Sequence, residues 1–292
     1  MTTAAHWLEG ARPRTLPAAF APVLVGTGAA LAVDVWTPGR AVLSLVVALA
    51  LQVGVNYAND YSDGIRGTDD ARVGPLRLVG GGHAAPAAVL RAALLSFGVA
   101  AAAGLVLAAL SSWWVLLVGA AAIAAAWGYT GGARPYGYRG FGEVSVFVFF
   151  GLVAVLGTTY VQAERLTWPA LAGGVACGAL ACAILVTNNL RDIPTDTVSG
   201  KRTLAVVLGD TRSRLLYPSL IASALVVPLL IAPTVPTALL ALLAAPLALG
   251  PVEQVRSGRR GRDLVPVLAA TGRLQLAYGV LLAVGLALGG LR

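Results

Sequence analysis

Charge is scarce in this sequence. Only 12% of its 292 residues are Asp, Glu, Lys or Arg, while 58% are hydrophobic. Soluble domains carry about 25% charged residues, and a water-soluble fold of this length cannot hide so much apolar surface. The composition excludes a soluble globular domain and makes lipid the bulk solvent. Cysteine is nearly missing: Cys177 and Cys182 share one apolar run. No disulfide framework is supported, and two small apolar residues on a membrane helix is a better reading than a metal pair. The two histidines, His6 and His83, fall outside every motif. Polar/apolar alternation is lacking in the apolar segments, which excludes barrel strands and leaves the α-helix to cross the lipid.

What the sequence does contain is nine apolar runs, each long enough to span at roughly 17–25 residues. They lie at about 15–33, 41–58, 88–110, 113–128, 142–162, 168–187, 212–231, 234–253 and 265–289. The expected fold class is all-α, a polytopic membrane bundle of nine transmembrane helices forming one integral-membrane domain over residues 1–292. The first run follows Arg12 and Arg14 and ends in Ala30-Leu31-Ala32, as in a cleaved signal peptide. It is nevertheless long enough to span, more spans follow, and Pro17 and Pro22 suit a kinked first helix.

The connecting segments alternate in kind. Those at 34–40, 111–112, 163–167 and 232–233 are short and nearly uncharged; those at 59–87, 129–141, 188–211 and 254–264 are longer and basic. Arg40, Arg165 and Arg292 fall on the short-loop side, and the other 18 of the 21 Lys and Arg fall on the long-loop side when Arg273 is counted there. Positive-inside bias makes the long-loop side cytoplasmic, with the N-terminus inside and the C-terminus outside. Topology thus accounts for the net charge of +8 without nucleic-acid binding. Arg273 lies within the last run, where it must face a polar cavity or snorkel.

Six of the 13 acidic residues fall into two Asn/Asp clusters within the long-loop segments. The first runs Asn56-Tyr57-Ala58-Asn59-Asp60-Tyr61-Ser62-Asp63, then reaches Asp69 and Asp70; the second runs Asn188-Asn189-Leu190-Arg191-Asp192, then Asp196. On a helical turn, Asp60/Asp63 (i, i+3) and Asp192/Asp196 (i, i+4) each project from one face. Like charges so placed repel unless a cation sits between them. Carboxylate pairs beside amide oxygens are what a hard divalent cation such as Mg²⁺ requires. One such pair would be an ordinary solvated loop. Two Asn/Asp clusters, each at the exit of an apolar helix on the same membrane face, point to a shared metal and diphosphate site. Basic residues stand beside them: Arg66, Arg72 and Arg77 after the first, Lys201 and Arg202 after the second, Arg134 between. Guanidinium groups grip phosphate oxygens bidentately. For Arg134 and Arg139 simple topological anchoring is an equal reading, and for the 256–262 cluster it is the better one.

These stretches resemble the UbiA superfamily of membrane-embedded aromatic prenyltransferases over essentially the whole length. Five stretches carry the resemblance: Ala11-Arg12-Pro13-Arg14-Thr15-Leu16-Pro17; Asn59-Asp60-Tyr61-Ser62-Asp63-Gly64 with Gly74-Pro75-Leu76-Arg77; Tyr129-Thr130-Gly131-Gly132 through Gly140-Phe141-Gly142-Glu143; Asn188-Asn189-Leu190-Arg191-Asp192 with Asp196 and Lys201-Arg202; and Thr271-Gly272-Arg273-Leu274. Within the superfamily the chain looks like the branch acting on 1,4-dihydroxy-2-naphthoate.

The resemblance implies a nine-helix bundle around a central cavity, a lateral opening for the isoprenoid tail, and a bacterial inner-membrane location. It implies Mg²⁺ as cofactor and, as partners, a polyprenyl diphosphate and an aromatic acid acceptor. By that resemblance Asp60, Asp63, Asp192 and Asp196 would be the catalytic metal ligands. Asp69 or Asp70 would stand in for the motif's final Asp, where this chain has Gly67. Asn59, Arg66, Arg72, Arg77, Tyr129, Arg134, Asn188, Asn189 and Lys201 would contact substrate; Arg134 stands alone where the superfamily often has a Lys-Arg pair. The implied chemistry ionises the allylic C–O bond, and the acceptor ring attacks through carbon with loss of carboxylate, giving demethylmenaquinone without a histidine base. Other readings are a different acceptor (4-hydroxybenzoate, homogentisate, or haem as farnesyl acceptor) and, from another class, a secondary transporter.

Overall fold

The computed structural model of the chain describes residues 2–68 and 76–290, and among them there is no strand. A short helix α1 (Ala4–Gly10) leads into α2 (Pro17–Leu31), α3 (Pro38–Ile65), α4 (Pro86–Leu110) and α5 (Val115–Gly128). Then follow α6 (Gly142–Ala163), α7 (Trp168–Val198), α8 (Leu204–Ile231), α9 (Pro246–Arg256) and α10 (Val265–Gly290). A π-helical stretch, Phe147–Val153, interrupts α6. Proline at the first turn starts many of these helices, where its missing N–H costs nothing.

Six helices are long and apolar enough to cross a bilayer, or eight if each of two bent pairs is one span. The bent pairs are Ala4–Thr15 with Pro17–Leu31 and Pro236–Ala244 with Pro246–Arg256; α5, at 14 residues, is a shorter apolar helix. The nine apolar runs therefore appear as six to eight spans and one short helix.

Helix α7 is the central post. In its apolar window 83% of residues are buried within the protein, whereas α3, α4 and α8 bury about a third of theirs. Lipid offers no hydrophobic drive for helix association, so contact comes from close packing of small residues. A Cβ on Gly151 of α6 would lie 2.5 Å from the Gly178 Cα of α7, and one on Gly28 of α2 would lie 2.6 Å from the Ala283 Cα of α10. The larger apolar core gathers around α7, α8 and α10 and holds Cys177; a smaller one joins α3 and α4 through Ala58, Val89 and Ala93.

Two helices outrun the apolar segments that announce them. The expected spans end at 58 and 187, but α3 continues to Ile65 and α7 to Val198. At 1.5 Å per residue they are about 42 and 46 Å long, against a hydrocarbon core of about 30 Å. Hydropathy falls where side chains become polar, while the backbone hydrogen-bond ladder continues through them. Asp60, Asp63, Asp192 and Asp196 consequently sit on helix rather than on loops. Arg273 on α10 is exposed, consistent with snorkelling.

Candidate active site

The last turns of α3 and α7 each present a polar row. Asn56, Asn59 and Asp63 recur at helical spacing on α3; Asn188, Asp192 and Asp196 do so on α7. Both rows line the same cavity, of about 700 Å³, within the range of roughly 300–1,000 Å³ usual for ligand sites. The cavity follows α3 from Asp63 back to Ser44, about 28 Å along the helix. Below the polar rows its wall is apolar, with Leu107, Leu116, Phe149, Phe150 and Val153.

Asp63 is the hub of the polar end. Its carboxylate is buried and accepts from the Tyr138 hydroxyl. Lys201 Nζ lies 3.1 Å from its Oδ1 and Arg77 Nη2 lies 3.7 Å from its Oδ2. Burial, and then the Asp63 charge, push the Tyr138 hydroxyl well above the usual phenol range, so it stays a donor. Lys201 also stands 4.7 Å from the Tyr138 ring centroid. Lys201 comes from the far half of the chain, and its approach depends on how α7 ends. Gly200 adopts φ +75°, the Lys201 N–H donates to the Asp196 carbonyl at 2.8 Å, and the Gly200 N–H donates to Thr197. This is a Schellman turn, whose left-handed residue favours glycine. It reverses the chain so that Lys201 points back across the mouth.

The α7 row is held as tightly. Arg191 donates through Nε and Nη2 to both oxygens of Asp192, each at 2.7 Å, and through Nη2 to Asn188 Oδ1 at 2.9 Å. Its Nη1 is buried with no hydrogen-bond partner among the described residues. Thr203 lies 3.5 Å from Asp196. Asn189, also on the wall, donates to buried Glu143 at 2.9 Å.

Not every expected residue reaches the cavity. Asn59, Asp63, Arg77, Tyr129, Asn188, Asn189, Asp192, Asp196 and Lys201 line it. Asp60 does not: both of its oxygens accept backbone N–H groups, from Leu78 and Val79, each at 2.9 Å. Arg66 turns to the 129–141 segment, donating to the carbonyls of Thr130 and Gly132. Arg134 is exposed and away from the wall. Asp69, Asp70 and Arg72 lie outside the described residues. Several wall residues escaped the sequence reading, Arg12, Arg14, Gln52 and Thr203 among them, and three stand beside the polar rows. They are Arg191, Tyr138 and Thr130, whose hydroxyl donates to Asn59 Oδ1 at 2.7 Å. For Arg191 the available signal was its place beside Asp192; Tyr138 and Thr130 gave none beyond their motif.

Residues 19–271 match the model of the UbiA prenyltransferase family. The chain belongs to the UbiA prenyltransferase family. It is 58% identical, over 99% of each chain, to a Mycobacterium tuberculosis 1,4-dihydroxy-2-naphthoate octaprenyltransferase. It is 39% identical to the Escherichia coli protein of that name over 75% of this chain and 74% of that one. Among solved structures, a UbiA homolog from Archaeoglobus fulgidus bound to GPP and Mg²⁺ superposes with TM-score 0.66 at 16% identity, covering 95% of this chain and 99% of that one. The apo structure of a UbiA homolog from Aeropyrum pernix K1 gives TM-score 0.68 at 14% identity, covering 93% and 97%.

The donors on this wall suit a hard cation of the kind held by the Archaeoglobus fulgidus homolog. All are oxygens: carboxylates of Asp63, Asp192 and Asp196 and amides of Asn59 and Asn188. Among the described residues, no three His, Cys, Asp or Glu side chains gather into a metal cage. Mg²⁺ normally takes one or two carboxylates and completes its shell with water and substrate phosphate. A wall of carboxylates, with cations beside Asp63 and Asp192, fits an ion shared with a diphosphate.

Proposed function

We propose that this chain transfers a polyprenyl group from its diphosphate to 1,4-dihydroxy-2-naphthoate with loss of the carboxyl group as CO₂, giving the quinol form of demethylmenaquinone. The observation that carries prenyl transfer is the meeting of the α3 and α7 rows at the polar end of one long apolar cavity, joined by Lys201 and Asp63. The naphthoate acceptor rests on the 58% and 39% identities to proteins named for it.

In this reading the chain is a single membrane domain of nine passes, with α5 as a short pass and each bent pair as one. The polar rows face the cytoplasm. Asp63, Asp192 and Asp196, with Asn59 and Asn188, are the residues that would hold Mg²⁺. When bound, Mg²⁺ would neutralise charge developing on the leaving oxygens. Arg77 and Lys201 leave Asp63 to donate to phosphate oxygens, exchanging one anionic partner for another. The apolar wall holds the isoprenoid tail and excludes water from the allylic cation formed when the C–O bond breaks. Phe149 and Phe150 add π faces that favour positive charge. The diphosphate leaves with the electron pair of the broken C–O bond, a ring carbon of the acceptor forms the new C–C bond, and the acceptor's carboxylate departs as CO₂ with no net loss of a proton.

The test is product mass. Membranes containing the chain receive one of three acceptors (1,4-dihydroxy-2-naphthoate, 4-hydroxybenzoate or homogentisate) with prenyl diphosphates of several lengths. Prenylated, decarboxylated naphthoquinol as the main product is the expected result. Preference for another acceptor would move the chain elsewhere in the family. Solute flux through proteoliposomes without any transfer would make it a transporter.

A further inference from the structure

Helix α3 presents two adjacent rows at its exit. The row through Asn56, Asn59 and Asp63 faces the cavity. The row through Tyr57, Asp60 and Gly64 faces the cap that closes over it. The Tyr57 hydroxyl donates to the Trp7 carbonyl at 2.8 Å. Asp60, 1% exposed, accepts the Leu78 and Val79 amides. A Cβ on Gly64 would lie 2.4 Å from Val79 Cγ1, so the chain at Val79 rests directly on the helix. Arg77, next in sequence to these two amides, is buried, lines the cavity and faces Asp63.

We propose that Asp60 is a positioning residue: its carboxylate clamps the Leu78 and Val79 amides to α3 and thereby holds the Arg77 guanidinium over the diphosphate. The role rests on the proposed prenyl transfer, which supplies the diphosphate. It removes Asp60 from the metal ligands and makes the second position of the Asn59-Asp60-x-x-Asp63 motif an anchor for an arginine. The geometry requires a carboxylate there because two parallel N–H donors need two acceptor oxygens. An amide side chain offers one oxygen and turns an NH₂ group toward the second donor.

The test uses the full chain in detergent with Asp60→Asn, Gly64→Ala, Arg77→Ala and the Asp60→Asn/Arg77→Ala double variant. In ligand-free Asp60→Asn, amide exchange at Leu78 and Val79 rises about tenfold, as expected for loss of a charge-assisted bond. In transfer assays the KM for prenyl diphosphate rises about tenfold, and the Mg²⁺ half-saturation stays within about twofold of wild type. In the Arg77→Ala background the substitution adds less than about twofold, because the group it positions is gone. Gly64→Ala, which pushes Val79 off the helix with Asp60 intact, reproduces both effects and serves if Asp60→Asn does not fold. Unchanged exchange at both amides, an Asp60→Asn loss that persists in full without Arg77, or an Mg²⁺ half-saturation raised about tenfold would each overturn the proposal. Were the wild type to transfer no prenyl group, the proposed function would fall, while exchange at Leu78 and Val79 and the affinity of the same variants for magnesium pyrophosphate would still judge the clamp.

Discussion

Lys201→Met tests whether the two halves of the chain meet as an energetic unit. In the resting protein Lys201 Nζ sits 3.1 Å from Asp63 Oδ1, and both side chains are nearly buried, at 7% and 5% exposure. Removing one partner of a buried pair costs about 3–5 kcal/mol when the other charge is stranded. Asp63 is not stranded, because Arg77 and the Tyr138 hydroxyl remain. The expected loss is therefore smaller, about 1–3 kcal/mol, and Tm should fall by about 2–4 °C for each kcal/mol. A double-mutant cycle isolates the pair. Asp63→Asn and Lys201→Met together should destabilise by less than their separate losses, with coupling of about 1–3 kcal/mol. Thermal unfolding in detergent reads the four proteins. The same lysine loss should raise the KM for prenyl diphosphate by about 10–100-fold, one charge-assisted hydrogen bond to phosphate. Additivity within about 0.5 kcal/mol would refute the contact, and with it the claim that the α3 and α7 rows share one ligand.

Asp192→Asn and Asp196→Asn should each abolish transfer in protein that remains folded by size exclusion; EDTA should stop the wild type and added Mg²⁺ should restore it. Tyr138→Phe should lower the stability conferred by the Asp63 hub by about 1–2 kcal/mol, read as a shift in unfolding midpoint. Gly104, Gly119 and Gly157 line the cavity, and a Cβ on any of them meets only open space. Gly119→Phe should thus fill the tail channel and shift product mass toward shorter isoprenoids. Gly151→Ala, by contrast, forces α6 from α7 and should destabilise by about 1–3 kcal/mol through overpacking, measured as detergent Tm.

Much of the site was legible because its chemistry is concentrated. Thirteen acidic residues in 292 leave few candidates, and six of them fell into two Asn/Asp clusters. The identity of Asp63, Asp192, Asp196, Asn59 and Lys201 as cavity residues could be read from composition and motif. The roles of Asp60 and Arg66 could not. Asp60 stands one residue from Asn59, and a helix turns by about 100° between neighbours, so spacing shows which residues share a face but not what lies opposite it. Arg66 has the charge for phosphate, yet the Thr130 and Gly132 carbonyls claim it.

By itself the sequence determined the all-helical class, because apolar runs in lipid must satisfy their own backbone groups. It also determined which residues carry charge, and that those charges concentrate in the longer connecting segments. Only the tertiary structure decided which row of α3 faces the cavity, that Arg191 holds Asp192, and that a turn at Gly200 returns Lys201 to Asp63 across 138 positions of chain. Hydropathy is a sum over local transfer energies and carries no rotational phase. Phase is fixed by which neighbour each helix packs against, and here the packing of small residues around α7 sets it.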